Sequence, residues 1–435
     1  MTQTHVRLRE WEVVRPDRDD ASGVRGVALS SDDDRAVARA LARAGMLEVI
    51  ELREGISVRA FAHVGRIQLG NVVITIEPKL PAADLLALFR HAYGLRNLRL
   101  FDTAEFAAGD HLLQDLIAAQ LLTEVVELIE GGVSRRYVSR SELLGNPRGR
   151  IDMEHLARHM PLVLPRLPCH HALRSADHHL NRVVLEGLVL AAAVARDFRL
   201  RNQLAQLAAA MTAEVRRATL NASALRSAWD QLDRMTSSYS AALRLIEIIL
   251  ACSAVTFDGE VKVQVPGFLF DMNRFFQALV GRILRDHLPD FEVRDEHGLS
   301  GMMRYLPSHN PRARRAPMPR PDFGLVLRGR TVALLDAKYR DLWNGSLPRD
   351  MLYQLAIYAM SQQKATAGII YPTTAVDATE AVIEIRAPHD RSVLGHVALR
   401  PLVLPRLVSA LRAASPGAAR AEALALAFGT ARNET

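Results

Sequence analysis

The chain has 435 residues, enough for two or three domains that each bury a core of their own. Apolar residues at 49% and charged residues at 24% exclude large-scale disorder, and two cysteines, Cys169 and Cys252, exclude a disulfide framework. The net charge of +7 is a modest basic excess, compatible with nucleic acid but not diagnostic of it.

The first residues, MTQTHVRLREWEVVRPDRDD, lack the apolar centre of a secretory signal, and no uncharged apolar run reaches about 18 residues. The expectation is a cytoplasmic protein with no membrane segment. The first segment is rich in short strands: Val6–Val14, Leu47–Leu52, Ile56–Ala62, Gly65–Leu69 and Val72–Ile76, with Gly70-Asn71 as a turn. A helix over Asp32–Gly45 opens on three aspartates, which suit a positive helix terminus, and closes on glycine. Ala82–Tyr93 and Asp110–Ile129 have helical spacing. Glu77-Pro78-Lys79 is expected to be a solvent-facing strand end with an ion pair and no chemistry.

From Arg135 to Asp152 the chain is basic, with turn residues at Gly145-Asn146-Pro147. Two readings stand side by side: a grip on a phosphate backbone, or an exposed interdomain strand and turn. The cluster Cys169, His170, His171, His178 and His179 lacks the paired spacing of zinc ligands. Ser175 or Asp177 is instead expected to cap a helix running to about Arg196. Helices then continue over Asn202–Ala213, Ala222–Met235 and Tyr239–Cys252, and their chemistry is silent.

The last third holds the chemistry. Phe268–His287 reads as a strand end turning into a helix with Phe275, Leu279 and Ile283 on one face, and Phe291–Arg294 as a short strand. After a loop over Asp295–Arg320 come two strands, Phe323–Leu327 and Thr331–Leu335, then a helix over Pro348–Gln362 and a strand over Gly368–Tyr371. Side chains on a strand alternate faces, so Asp336 and Lys338 share a side, and hairpin pairing brings Asp322 near Asp336. Two carboxylates suit Mg²⁺, a hard cation that binds through one or two acids and takes the rest of its shell from water and substrate phosphate. The lysine can orient an attacking water, and the matching reaction is phosphodiester hydrolysis. A surface hairpin with a salt bridge is the competing reading. Against it, only four lysines (Lys79, Lys262, Lys338, Lys364) stand among 55 basic residues, and arginine is a poor substitute for a compact ammonium. Arg312, Arg314, Arg315 and Arg320 precede Asp322, where a DNA strand would pass; DNA contact is the favoured reading and a solvated, mobile loop the competing one.

Asp322, Asp336 and Lys338, in a strand-turn-strand followed by a helix and a strand, resemble the PD-(D/E)xK nuclease superfamily. More specifically the chain resembles the McrC family, the nuclease subunits of McrBC-type modification-dependent restriction systems. The segments that carry this are VGRIQLGNVVITIEPKL, FRHAYGL, LLGNPRGRID, SADHHLNR, FDMNRFFQALV, PDFGLVL, LLDAKYR and YQLAIYA, in that order. The resemblance implies an α/β (α+β) fold: an N-terminal mixed strand/helix domain over 1–170 that binds a partner, then a helical connector and a PD-(D/E)xK endonuclease domain over 171–435. It further implies a Mg²⁺-dependent DNA endonuclease acting on DNA with 5-methylcytosine. The partner is an McrB-like AAA+ GTPase or ATPase ring, and this chain has no GxxxxGK[ST] loop of its own. Asp322 and Asp336 would hold metal, Lys338 would position water, and Gln354, four residues before Tyr358, would support water or phosphate. In the family an acid usually follows the aromatic pair after FDMN. Here Gln277 stands there, which leaves a second reading open: a regulator of the ring with a weakened nuclease site.

Overall fold

The computed structural model describes residues 3–17, 23–95, 113–159, 166–253, 267–362, 366–413 and 416–429. Lys262, Lys364 and the first residues of the helix expected from Asp110 lie outside them. The chain forms two compact units, Met1–Asn97 with Leu269–Thr435, and Leu98–Phe268. The fold is α+β. No helix among the described residues is long and apolar enough to cross a membrane.

The first unit starts with β1 (Thr4–Arg9), whose alternation turns Val6 and Leu8 inward. The single strand expected over Val6–Val14 is in fact two. A turn breaks it, with Glu12 N donating to Arg9 O and Trp11 at φ +67, and β2 (Val13–Val14) joins a different sheet. Helix α1 (Asp32–Arg43) is capped by the Ser31 hydroxyl, which accepts from Asp34 N, and its three first-turn aspartates face the helix dipole favourably. Strands β3 (Leu47–Leu52) and β4 (Gly55–Ala60) complete the sheet β2-β4-β3. Then β5 (His63–Leu69) and β6 (Val72–Glu77) form a hairpin, Gly70 supplying the left-handed φ of +57, and β1 lies parallel to β6. α2 (Ala82–Tyr93) ends on Gly94 in the left-handed conformation.

The second unit packs helices α3 (Leu113–Glu130), α4 (Met153–His159), α5 (His179–Val194), α6 (Phe198–Met211), α7 (Ala222–Asp230) and α8 (Ser240–Ser253) with a ribbon. The ribbon is β7 (Arg136–Leu144), β8 (Arg150–Ile151) and β9 (Leu167–Ser175), in the order β7-β9-β8. Buried Asn181 ties this unit together. Its amide donates to Ser134 O at 3.0 Å and Ala176 O at 2.8 Å, and its carbonyl accepts from Tyr239 Oη at 2.7 Å.

The chain returns to the first unit through β10 (Gly267–Asp271), beside β5. Asp271 caps α9 (Met272–His287), accepting from Asn273 N and Arg274 N. The face expected from spacing is the buried one: Phe275, Leu279 and Ile283, joined by Phe276 and Leu284. The last sheet runs β11 (Glu292–Asp295), β12 (Phe323–Leu327), β13 (Arg330–Ala337), β14 (Thr366–Thr373), β16 (Val393–Val403) and β15 (Ala381–Arg386) in spatial order. Helix α10 (Arg349–Met360) connects β13 to the parallel β14, and α11 (Leu404–Ala413) and α12 (Pro416–Phe428) follow β16. Leu355, Tyr358 and Ala359 of α10 pack on Leu334, Ile369 and Val397 of the sheet, so the strand that carries Asp336 is fixed from behind.

Candidate active site

Two left-handed residues, Arg328 at φ +50 and Gly329 at φ +77, make the tight turn that joins β12 to β13. The register pairs Phe323 with Leu335, so Asp322 stands beside the end of β13 that carries Asp336. Ala337 N donates to Asp322 Oδ2 at 2.8 Å, which locks that carboxylate to the neighbouring strand. Lys338 Nζ is 3.0 Å from Asp336 Oδ2 and 3.9 Å from Asp322 Oδ2. The two acids and the lysine expected to meet therefore do meet. Gln277 of α9 reaches the same place, its Nε2 donating to Asp322 Oδ1 at 3.2 Å.

Burial dominates the electrostatics. It pushes the Asp322 carboxyl up to about 6, the charge of Asp336 pushes the same way, and Lys338 and the Ala337 amide pull against both. For Lys338 burial lowers the ammonium's pKa, but the charges of Asp336 and Asp322 more than offset it, and the net shift is upward. Lys338 therefore stays charged. Asp336 is 1% exposed, and its Oδ1 is buried with no hydrogen-bond partner. A buried carboxylate oxygen without a donor is costly unless something satisfies it.

That orphaned oxygen and the paired acid make a donor set that fits a hard cation of the Mg²⁺ type, which needs only one or two carboxylates. Among the described residues no group of three or more His, Cys, Asp or Glu side chains could hold a metal. The Cys169–His179 cluster is no exception. His170 Nε2 pairs with Asp152 Oδ2 at 2.9 Å, while His178 and His179 turn to the backbone oxygens of Ser134 and Ala224, both at 2.8 Å. The expected Ser175 or Asp177 cap does not form either. His178 is the N-cap residue of α5 and makes no side-chain cap bond. Asp177 is drawn away by the guanidinium groups of Arg182 and Arg216, each at 2.6 Å, and by Arg216 N at 3.2 Å, rather than by the first amides of α5.

Gln354 does not touch the acids. Its Nε2 donates to Tyr358 Oη at 2.6 Å, and it is Tyr358 that lies within electrostatic reach of Asp336, Asp322 and Lys338. The i, i+4 spacing of the two was the available signal for Tyr358. Arg312, Arg314, Arg315 and Arg320 are exposed, and among the described residues none forms an ion pair. Their loop is zipped at its base: Glu296 N donates to Asp322 O, His297 N to Pro321 O and Leu299 N to Pro319 O. The arginine loop thus departs from the strand that carries the first acid. Of the two readings of Arg135–Asp152, the strand-and-turn geometry is present, as β7 and β8 of the ribbon.

Similarity to known proteins follows the same lines. A refined half-complex from a tetradecameric assembly of Thermococcus gammatolerans McrB AAA+ hexamers with bound McrC contains a chain similar to this one. The two are 19% identical with a TM-score of 0.62, over 96% of this chain and 99% of that one. A cryo-EM structure of the Thermococcus gammatolerans McrBC complex matches 66% of this chain and 88% of that one, at 19% identity and a TM-score of 0.46. At such identity the first likeness is one of fold alone. No curated protein matches. The family described as McrBC 5-methylcytosine restriction system component matches residues 58–372, well over half the chain. This chain belongs to the family of McrBC 5-methylcytosine restriction system components.

Proposed function

We propose that the chain is an McrC-type subunit: a Mg²⁺-dependent DNA endonuclease that cuts DNA carrying 5-methylcytosine together with an McrB-like AAA+ GTPase or ATPase ring. The observation that carries this reading is the convergence of Asp322, Asp336 and Lys338, with Asp336 Oδ1 buried and unpartnered. Asp322 and Asp336 would hold the ion. When bound, Mg²⁺ supplies Lewis-acid polarisation of the phosphoryl oxygen and neutralises developing charge. Lys338, kept charged by the acids beside it, orients the attacking water and stabilises negative charge on the phosphoryl group. Gln354 fixes the Tyr358 hydroxyl, and the four loop arginines take the phosphates of the incoming strand.

Motor and recognition fall to the partner, since the chain has no phosphate-binding loop of the Walker type. The partner contact is assigned to the ribbon of the second unit, which begins within the N-terminal part expected to bind it and runs just past residue 170. Tyr137 at 76%, Leu143 at 48% and Leu173 at 44% exposure stand there beside arginines. The decisive assay is cleavage of methylated and unmethylated plasmid by this protein with the NTPase, Mg²⁺ and GTP or ATP. Cleavage by wild type that Lys338→Ala abolishes, with stimulation of NTP hydrolysis retained, is the expected outcome. Cleavage unchanged in Asp336→Ala would overturn the catalytic assignment.

Gln277 favours a second reading, a regulatory subunit that stimulates the ring without cutting, because an amide rather than a carboxylate abuts Asp322. Stimulated hydrolysis with no cleavage by wild type decides for it.

A further inference from the structure

At the carboxyl ends of β13 and β14 lies a cleft of about 300 Å³, lined by Arg9, Trp11, Lys79, Arg340, Asp341 and Thr373 among others. It lies wholly within the first unit, and Arg340 follows Lys338 by two residues. Crevices at the carboxyl ends of parallel strands are where α/β sheets place ligands.

Its charges are unequal in availability. The acids are occupied. Glu12 accepts from Arg9 N at 2.8 Å, and Asp341 accepts from Trp343 N and Asn344 Nδ2, each at 2.9 Å, and from Thr373 Oγ1 at 3.3 Å. Arg9, Lys79 and Arg340 are all exposed, and among the described residues none makes an ion pair with a carboxylate. The Arg340 guanidinium stands 5.9 Å from the Trp11 ring centroid. Trp11 holds a φ of +67, which a bulky side chain disfavours, and the indole lines the cleft.

Behind the cleft Glu10 is fully buried, accepting from Tyr339 Oη and Lys79 N at 2.9 Å each, while its Oε2 has no partner. Burial pushes its carboxyl pKa upward, toward the neutral form, so it opposes an incoming anion weakly. The result is three cations without an ion pair, of which Lys79 alone feels the charge of buried Glu10, around a concave surface whose other acids are already hydrogen-bonded. Such a surface suits a phosphate ester.

Resting on the nuclease reading, we propose that this cleft is a second phosphate-binding subsite, in which Arg9, Lys79 and Arg340 hold the backbone of the DNA strand beyond the scissile position. The test is binding of short fluorescein-labelled DNA by the full chain in EDTA, read by anisotropy across a salt series. The combined Arg9→Gln, Lys79→Gln and Arg340→Gln variant should bind roughly 10-fold or more weakly and lower the salt slope by about 1 per cation removed. Arg340→Lys should keep the slope, and Arg39→Gln, an exposed arginine on α1, should behave as wild type. Single replacements at these exposed positions give the same readout should the combined variant fail to fold. Unchanged affinity and slope overturn the proposal. So does saturable binding of a nucleoside monophosphate that the three replacements abolish while DNA binding stays intact, since the cleft would then serve a free nucleotide. Neither metal nor cleavage enters this readout. A lowered slope in a protein that never cuts leaves the subsite standing and sinks the nuclease reading, and Lys338-dependent cutting with an unchanged slope does the reverse.

Discussion

At the residue scale the site is a balance between burial and charge. Asp322 binds its proton more tightly folded, near 6, than its ordinary 3.8 would allow unfolded. The folded state therefore gains stability that is fully present below pH 3.8 and is lost as pH rises through about 6. Metal-free protein should show a Tm that falls by several degrees across that window, and Asp322→Asn should flatten the profile. Because a cation competes with that proton, Mg²⁺ affinity measured by calorimetry should rise over the same interval. Gln277 is the natural place to change the balance. Gln277→Glu puts a third carboxylate against Asp322 Oδ1, so the expected result is a several-fold lower half-saturating Mg²⁺ together with a lower metal-free Tm, since like charges share a buried site. An unchanged Mg²⁺ requirement would show that this position does not set metal affinity.

At the element scale the hairpin is only as exact as the sheet behind it. Leu335 pairs with Gly368, and a Cβ at Gly368 would lie 2.7 Å from Arg400 Nη1 and 2.9 Å from Leu335 Cδ2. Arg400 has little room to yield, being bonded to Glu380 and to the last carbonyls of α12, Leu426 O and Ala427 O. Gly368→Ala should therefore cost about 1–3 kcal/mol in urea denaturation, and it should impair cleavage as well because Asp336 is the next residue along β13. Leu355→Ala, on the helix that backs the strand, should cost about 2–5 kcal/mol by the same measurement, as buried leucines do.

At the scale of the whole molecule, the two compact units divide the chain otherwise than at residue 170: residues 98–268 form one, and both flanking segments together form the other. The first unit thus closes only after the second has been synthesised, and long-range pairings of that kind are slow to form. Asn181 offers a test of independence. Asn181→Ala removes the buried amide that holds Ser134, Ala176 and Tyr239, at about 1–3 kcal/mol per group left unsatisfied. Calorimetry should show one transition lowered by several degrees while Mg²⁺ affinity at Asp322 and Asp336 is unchanged. Loss of metal affinity in step with stability would show the units to be one cooperative body.

The convergence of Asp322, Asp336 and Lys338 was legible in the sequence because these residues obey local rules. Alternation along a strand is enough to put Asp336 and Lys338 on one side, and helical spacing is enough to find the buried face of α9. The hairpin, with a glycine at its turn and apolar strands on either side, carries its own register. Other features depend on partners distant in the chain. The break between Arg9 and Val13 follows from Trp11 taking a left-handed φ that no propensity favours, and Cys169-His170-His171 became a strand only by pairing with residues 140–142. The strands Ala381–Arg386 and Val393–Val403 pair antiparallel across a turn that holds Pro388 and Asp390, but their place beside β14 is set by the sheet rather than by their own pattern. Residues 1–97 lie with the sheet that carries Asp336 through contacts such as Glu10 to Tyr339, 329 positions apart. Tertiary packing alone decides such contacts, because burial energy is indifferent to separation along the chain while every local signal is bounded by it.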